Sequence, residues 1–209
     1  LLVCLQDVRV WSEQNPRHAP IWISFNLKDQ AIPGLPDPEL FTPEALNLLD
    51  EQLRGALTTQ LIQPADVQAL NWPTLAEARG KVLLILDEGG AKRDWYYNNW
   101  QTRPMFTNAP EGHPAAGVMI INDPIEDFAR IQRLVKAGYL VRTRADAGTL
   151  EARSNDTLRR DRAFASGAQA ISTDYYRAAT HFGNDYRVAI DGGVRCNPVL
   201  LPQPCVVAE

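Results

Sequence analysis

The feature that most limits the fold is a set of short, continuously apolar segments that stop abruptly at polar residues. Lys81–Leu86 reads KVLLIL and gives way to Asp87-Glu88-Gly89-Gly90, and Gly117–Asn122 reads GVMIIN and runs into Asp123-Pro124. A strand with one wet face alternates apolar and polar residues, whereas a strand covered on both faces reads as an unbroken apolar run. Between these runs lie helix signals. Thr42-Pro43-Glu44 places a capping residue ahead of a proline and predicts a helix to about Leu57. Pro64–Leu70 and Pro73–Arg79 predict short helical turns, Ile125–Ala137 a helix stopped by Gly138, and the stretch after Thr149 a helix through Ser166. Leu1–Gln14 puts Leu1, Cys4, Leu5, Val8 and Trp11 on one helical face.

Six strands are predicted, near 21–26, 82–87, 103–107, 117–122, 140–144 and 170–173. Buried strands alternating with helices argue for an α/β protein with a parallel sheet. An open doubly wound sheet should carry a glycine-rich phosphate turn, and the chain has no G-x-G-x-x-G. A TIM-type (β/α) barrel is therefore expected. Such a barrel closes with eight strands. Six strands, in a chain that starts inside a helix, predict a barrel lacking its first two β/α units. That barrel would span residues 1–180, with 181–209 as a C-terminal tail.

Composition narrows the partners. The 45% hydrophobic and 22% charged content is a globular balance. Lys and Arg number 21 against 25 Asp and Glu, a net charge of −4, and no basic run exists, which argues against nucleic acid. The apolar runs fall far short of the ~20 residues of a membrane span. Leu1–Val10 carries Asp7 and Arg9 and lacks a small-residue cleavage site, so it reads as a helix entered partway, with an upstream segment expected, rather than as a signal peptide. Cys196 and Cys205 bracket a proline-rich stretch, CNPVLLPQPC. A disulfide there would contribute about 2–3 kcal/mol and imply an oxidising compartment; two unpaired thiols are the alternative. Cys4 is either buried in its helix or the partner of an upstream cysteine.

In barrels of this kind the chemistry sits at the carboxyl ends of the strands. The polar exits are Asn26, Lys28 and Asp29; Asp87 and Glu88; Thr107 and Asn108; Asn122 and Asp123; Arg142, Arg144 and Asp146; and Ser172 and Asp174. Asp123, before Pro124, suits a helix cap. Asn26 and Asp87 offer the hard oxygens that Ca²⁺ or Mg²⁺ prefers. Arg142 and Arg144, two apart on one strand, share a face and could address a phosphate with paired guanidinium forks. The alternative is a set of Arg–Asp pairs filling the barrel mouth. His18 and His113 precede strands and are expected on the surface at the amino ends, and His181 lies in the tail. No Ser–His or Cys–His pair and no zinc motif is supported. Any imidazole acid and base is expected in the missing units.

The stretch Tyr139–Asp156 (YLVRTRADAGTLEARSND), then Arg159-Arg160-Asp161 and Ala165–Tyr175 (ASGAQAISTDY), resembles the bacterial calcium-dependent phosphoinositide phospholipases C. Trp72–Asp87, Met105–Thr107 and Arg195–Pro198 are similar to the same family, so the likeness runs in order over nearly the whole chain. The resemblance implies a phospholipase-C-like barrel that hydrolyses phosphodiesters. It implies two catalytic histidines after the first two strands, which have no counterpart here, and Ca²⁺ held by oxygen ligands. Asn26 stands about where relatives hold an acidic metal ligand. Lys28, Arg142 and Arg144 match phosphate-contacting positions and are the catalytic cations expected of this chain. Asp174 and Tyr175 are the expected substrate contacts, Tyr175 either stacking on a ring or packing at the barrel rim. The implied substrate is phosphatidylinositol or a related head group, with peripheral membrane contact and a secreted protein. Two alternatives stay open: a non-catalytic module that binds an anionic ligand, and a glycerophosphodiester or sphingomyelin-type phosphodiesterase.

Overall fold

In a computed structural model of the chain, every residue of the apolar run Val82–Leu86 is buried. The structure describes residues 1–190, 192–201 and 204–206, and the chain divides into two compact units, Leu1–Gly117 and Val118–Glu209. The division falls inside the segment that the sequence reads as one barrel.

The first unit runs α1 (Leu2–Gln14), β1 (Ile21–Phe25), α2 (Pro43–Leu57), β2 (Leu61–Ile62), α3 (Leu75–Ala78), β3 (Val82–Leu86), α4 (Gly90–Tyr97) and β4 (Met105–Thr107). β3 is its axis. Along one edge β1 pairs in parallel from Ile21–Val82 to Phe25–Leu86. The other edge is shared: β2 pairs with Val82 and Leu83, and β4 with Leu84–Leu86, both in parallel. The sequence reading missed β2, because two residues have no period. α2 starts as expected, the Thr42 hydroxyl accepting the Ala45 N–H, with Pro43 at its first position. Its Leu46, Leu53, Ala56 and Leu57 join Val82, Leu84 and Leu86 in one core. Each such leucine contributes about 1.5–3 kcal/mol through burial.

The expected inward face of α1 is rotated. Leu5 is buried, but Leu1 and Cys4 are exposed and Trp11 is 50% exposed, while Ser12 takes the inward place at 1%. Burying Ser12 is tolerable because its hydroxyl lies 2.6 Å from His18 Nε2 and 3.2 Å from the Gly80 carbonyl oxygen. Trp11 packs on the His18 ring instead, 5.1 Å between centroids. His18 and His113 are thus half-buried rather than free on the surface. His18 Nδ1 lies 2.6 Å from the Ala19 carbonyl oxygen, and His113 Nδ1 accepts the Ala115 N–H at 3.1 Å. Gly80 is fixed as glycine here: its φ is +73°, and a Cβ would sit 2.8 Å from the Pro16 carbonyl oxygen.

The second unit runs β5 (Val118–Ile120), α5 (Phe128–Lys136), β6 (Leu140–Arg144), α6 (Leu150–Ser154), α7 (Leu158–Ala165) and β7 (Ala170–Ser172). Its three strands are parallel in the order β5-β6-β7, with Arg142 opposite Ile120 and Ala170, and Arg144 opposite Ser172. The single helix expected through Ser166 is broken in two. Asn155 turns left-handed at φ +52°, and the Asp156 carboxylate then accepts the Leu158 N–H at 2.9 Å to start α7. The helix expected from Ile125 begins at Phe128, preceded by a turn that Asp123 caps by accepting the N–H groups of Ile125 and Glu126.

Residues 181–190 are no loose tail. Tyr186 and Val188 are buried with Ala145, Ala152, Tyr175 and Ala179, and the Tyr186 hydroxyl donates to the Ala145 carbonyl at 3.2 Å. Cys196 and Cys205 are joined, their Cα atoms 6.1 Å apart, and Asn197 Nδ2 docks that loop by donating to the Gly167 carbonyl at 2.7 Å. The six expected strands are all present and all pair in parallel, so the α/β class is plain. Closure is another matter: among the described residues the pairings make one four-stranded and one three-stranded sheet, not a closed ring. Among them, too, no helix is long and apolar enough to cross a membrane.

Candidate functional site

β6 turns alternate residues to opposite faces. Val141, Thr143 and Ala145 are buried at 0%, so Arg142 and Arg144 stand together on the other face. They line a cleft of about 220 Å³ with Asp146, Gly148, Ser172, Thr173 and Asp174. The cleft sits at the carboxyl ends of β6 and β7.

The two acids of this cleft are in different states. Asp146 is 5% exposed and fully engaged: one oxygen accepts the Thr173 hydroxyl and the other the Asp174 N–H at 3.1 Å. Asp174 is exposed, and among the described residues nothing hydrogen-bonds its carboxylate. The arginines differ as well. Arg142 Nη1 donates to Asn122 Oδ1 at 2.6 Å. Arg144 is exposed and, among the described residues, makes no hydrogen bond or ion pair. Among the described residues, therefore, no Arg–Asp pair neutralises Arg144. Asp123, at the β5 exit, stays with its turn. Burial opposes its ionisation, but the N–H groups of Glu126 and Ile125 and the Arg159 guanidinium outweigh that and hold the carboxyl below its ordinary range.

Of the two placements expected of Tyr175, stacking on a ring or packing, the structure shows packing. It is 8% exposed, its ring edge-on to Tyr186 at 5.5 Å and its hydroxyl near the Gly148 carbonyl, so it belongs to the core rather than to a ring-stacking surface. A tyrosine three residues past a strand can face either way. The apolar partners Phe182 and Tyr186 follow it in the loop after β7, a stretch with no strand or helix period to reveal its inward residues.

In the first unit the exits of β1 and β3 are held together. Asn26 Nδ2 donates to the Asp87 carbonyl at 2.7 Å, the Asp87 N–H to the Phe25 carbonyl at 2.9 Å, and the Leu27 N–H to Glu88 Oε1. Lys92 meets both Asp29 and the Leu27 carbonyl, and the Phe41 N–H donates to Asp29. With Lys92 first among these partners, they hold the Asp29 carboxyl below its ordinary range. Asp29 is thus spent on the loop, whereas Asn26 Oδ1 and the Asp87 carboxylate have no hydrogen-bond partner among the described residues. Lys28 is exposed and likewise unpartnered among them.

A family profile described as phosphoinositide phospholipase C, Ca²⁺-dependent, matches residues 1–198. The chain belongs to this family. Among solved structures it is similar to a calcium-dependent phosphoinositol-specific phospholipase C from a Pseudomonas species, in a myoinositol complex. That match has a TM-score of 0.50 and 18% identity, over 70% of this chain and 59% of that one. It is also similar to a Ca²⁺-dependent phosphatidylinositol-specific phospholipase C from Streptomyces antibioticus. Here the TM-score is 0.59 and the identity 17%, over 84% of this chain and 70% of that one. The chain thus spans less than two thirds of the length of the Pseudomonas enzyme. No curated protein matches it.

For a member of a Ca²⁺-dependent family, the strand-end oxygens of the first unit are the natural test. Asn26 Oδ1 and the Asp87 carboxylate fit Ca²⁺ in kind, being hard oxygens not consumed by the fold. They fall short in number, since Ca²⁺ takes six to eight oxygens. Among the described residues no group of three or more His, Cys, Asp or Glu side chains is arranged to hold a metal. Arg159, which binds Asp123 and Glu151, and the clamp formed by Asp146 and Thr173 were beyond sequence reasoning. Asp146 stood among the strand-exit acids, but nothing in the sequence separates a spent carboxylate from a free one.

Proposed function

We propose that the chain is the phosphate-binding part of a calcium-assisted phosphodiesterase acting on phosphatidylinositol or a closely related phospholipid. The observation that carries this is Arg144: a cation with no partner among the described residues, beside Arg142, in a cleft with Asp174, whose carboxylate has none among them either. Two guanidinium groups on one strand face present fixed donors to a phosphate and stabilise charge that grows as phosphorus is attacked. Asp174 suits a sugar hydroxyl, because an unpaired carboxylate accepts hydrogen bonds. In the first unit Asn26 and Asp87 would supply part of a calcium shell, and Lys28 a further exposed cation. Calcium, when bound, would lower the pKa of a substrate hydroxyl and offset phosphate charge.

Proton transfer is assigned elsewhere. His18 precedes β1 and is engaged with Ser12 and Ala19, His113 precedes β5, and His181 stacks beside Tyr175. None lines the cleft of the second unit. The acid–base histidines of the reaction would thus come from outside residues 1–209, as would the strands completing a barrel. The Cys196–Cys205 disulfide supports a secreted protein, and a lipid substrate calls for peripheral contact with a membrane.

The test is release of inositol phosphate from phosphatidylinositol vesicles. Residues 1–209 alone should release none with or without calcium, since acid–base groups contribute roughly 10²–10⁴-fold each. A longer protein carrying the histidines should cleave, chelation should abolish cleavage, and Arg142→Lys should restore only part of what Arg142→Ala loses. Calcium-dependent turnover by residues 1–209 would refute the placing of the acid–base pair. Full activity of Arg142→Ala in the longer protein would refute the phosphate site.

A further inference from the structure

We infer that Arg159, which lies outside the cleft, is a positioning residue for Arg142; the inference rests on the phosphate-site reading above. Arg159 stands on α7 with its side chain 17% exposed, and its guanidinium forks in three directions. Nε meets Glu151 at 3.0 Å, Nη2 meets Asp123 at 3.2 Å, and Nη1 donates to the Asn122 carbonyl at 3.3 Å. The other oxygen of Glu151 accepts the Ala147 N–H at 3.1 Å, just past β6. One planar group therefore ties the exits of β5 and β6 together.

The consequence falls on Asn122. Its carbonyl is held by Arg159, and its side-chain oxygen takes Arg142 Nη1 at 2.6 Å. An exposed residue at a strand exit can otherwise turn, and with it would turn a group that holds one arm of the Arg142 fork. Fixing Asn122 in advance spares a ligand the cost of ordering Arg142. The fold has a separate lock on the same turn, because Asp123 also accepts the N–H groups of Ile125 and Glu126. Loosening Arg159 should therefore disturb aim more than folding. Arginine is required, since a lysine ammonium cannot reach three divergent acceptors with a planar fork.

The experiment is a calorimetric titration of the 209-residue chain with inorganic phosphate, with urea unfolding measured on the same proteins. Arg142→Ala should weaken phosphate binding roughly tenfold, the size of a lost charge-assisted hydrogen bond. Arg159→Lys should weaken it roughly fivefold while unfolding near the wild-type midpoint, because its charge still meets Asp123 or Glu151. The double variant Arg142→Ala/Arg159→Lys should bind no more weakly than Arg142→Ala alone, as expected when one residue acts through the other. Asn122→Ala, which breaks the relay without touching Arg159, should reproduce the Arg159→Lys loss. Multiplying losses in the double variant, or wild-type affinity in Arg159→Lys or Asn122→Ala, would overturn the positioning role. Wild-type affinity in Arg142→Ala would instead remove the phosphate site itself, and the positioning role with it.

Discussion

Arginine meets carboxylate in both units, and the two meetings end differently. In the first unit Arg103, Asp50 and Tyr96 are 9%, 4% and 0% exposed. Arg103 Nη1 donates to Asp50 at 2.9 Å and to Asn47 at 2.7 Å, and its guanidinium lies 4.7 Å over the Tyr96 ring. The Tyr96 hydroxyl donates to the other Asp50 oxygen at 2.6 Å. Burial pushes the Asp50 carboxyl up despite these bonds, and burial with the Asp50 charge pushes the Tyr96 phenol up too. In the second unit Arg144 and Asp174 share a cleft, yet both are exposed and unpaired among the described residues. The same chemistry thus serves two ends. Where charges are desolvated and spent on one another they fix the fold, and where they are kept wet and apart they await a ligand.

The largest way to break this contrast is stability. Asp50→Ala strands a buried guanidinium and should cost about 3–5 kcal/mol by urea denaturation. Arg144→Ala should change it by less than about 0.5 kcal/mol. Equal costs would erase the distinction. A finer version lies inside the cleft. Asp146→Ala should cost about 1–3 kcal/mol by unpairing the Thr173 hydroxyl and the Asp174 N–H, while Asp174→Ala should stay within about 0.5 kcal/mol.

The smallest expected effect is in pH dependence, with opposite signs at two aspartates. The raised pKa of Asp50 makes its contribution full below the ordinary value of 3.8 and lost as pH rises through the folded value. The lowered pKa of Asp123 makes its contribution present above 3.8 and lost as pH falls through the folded value. On acidification the wild type's margin of stability over Asp50→Asn should therefore widen, and its margin over Asp123→Asn should narrow. Margins that move together would contradict the assignment of these environments.

Local signals carried far in this chain, and long-range ones did not. The apolar runs, the Thr42-Pro43 cap and the cysteine spacing each depend on neighbours in sequence, and each led to the element observed. The shared face of Arg142 and Arg144 follows from strand geometry alone. The inward face of α1 did not follow, because it was decided by His18 and Gly80, which take the Ser12 hydroxyl. Tyr175 was drawn inward by Phe182 and Tyr186, partners that no periodicity reveals. Which carboxylates are consumed and which stay free is likewise a property of three-dimensional neighbours. Asp29, Asp123 and Asp146 look like Asp87 and Asp174 in sequence and differ from them only in what surrounds them.

The central claim is that Arg144, without a partner among the described residues, serves a ligand rather than the fold. Arg144→Ala in the 209-residue chain tests it most directly, with the phosphate affinity and the urea unfolding free energy measured on one preparation. The account predicts phosphate binding weakened roughly tenfold or more, with an unfolding free energy within about 0.5 kcal/mol of the wild type. Unchanged phosphate affinity, or a loss of stability that matches the loss of binding, would contradict it.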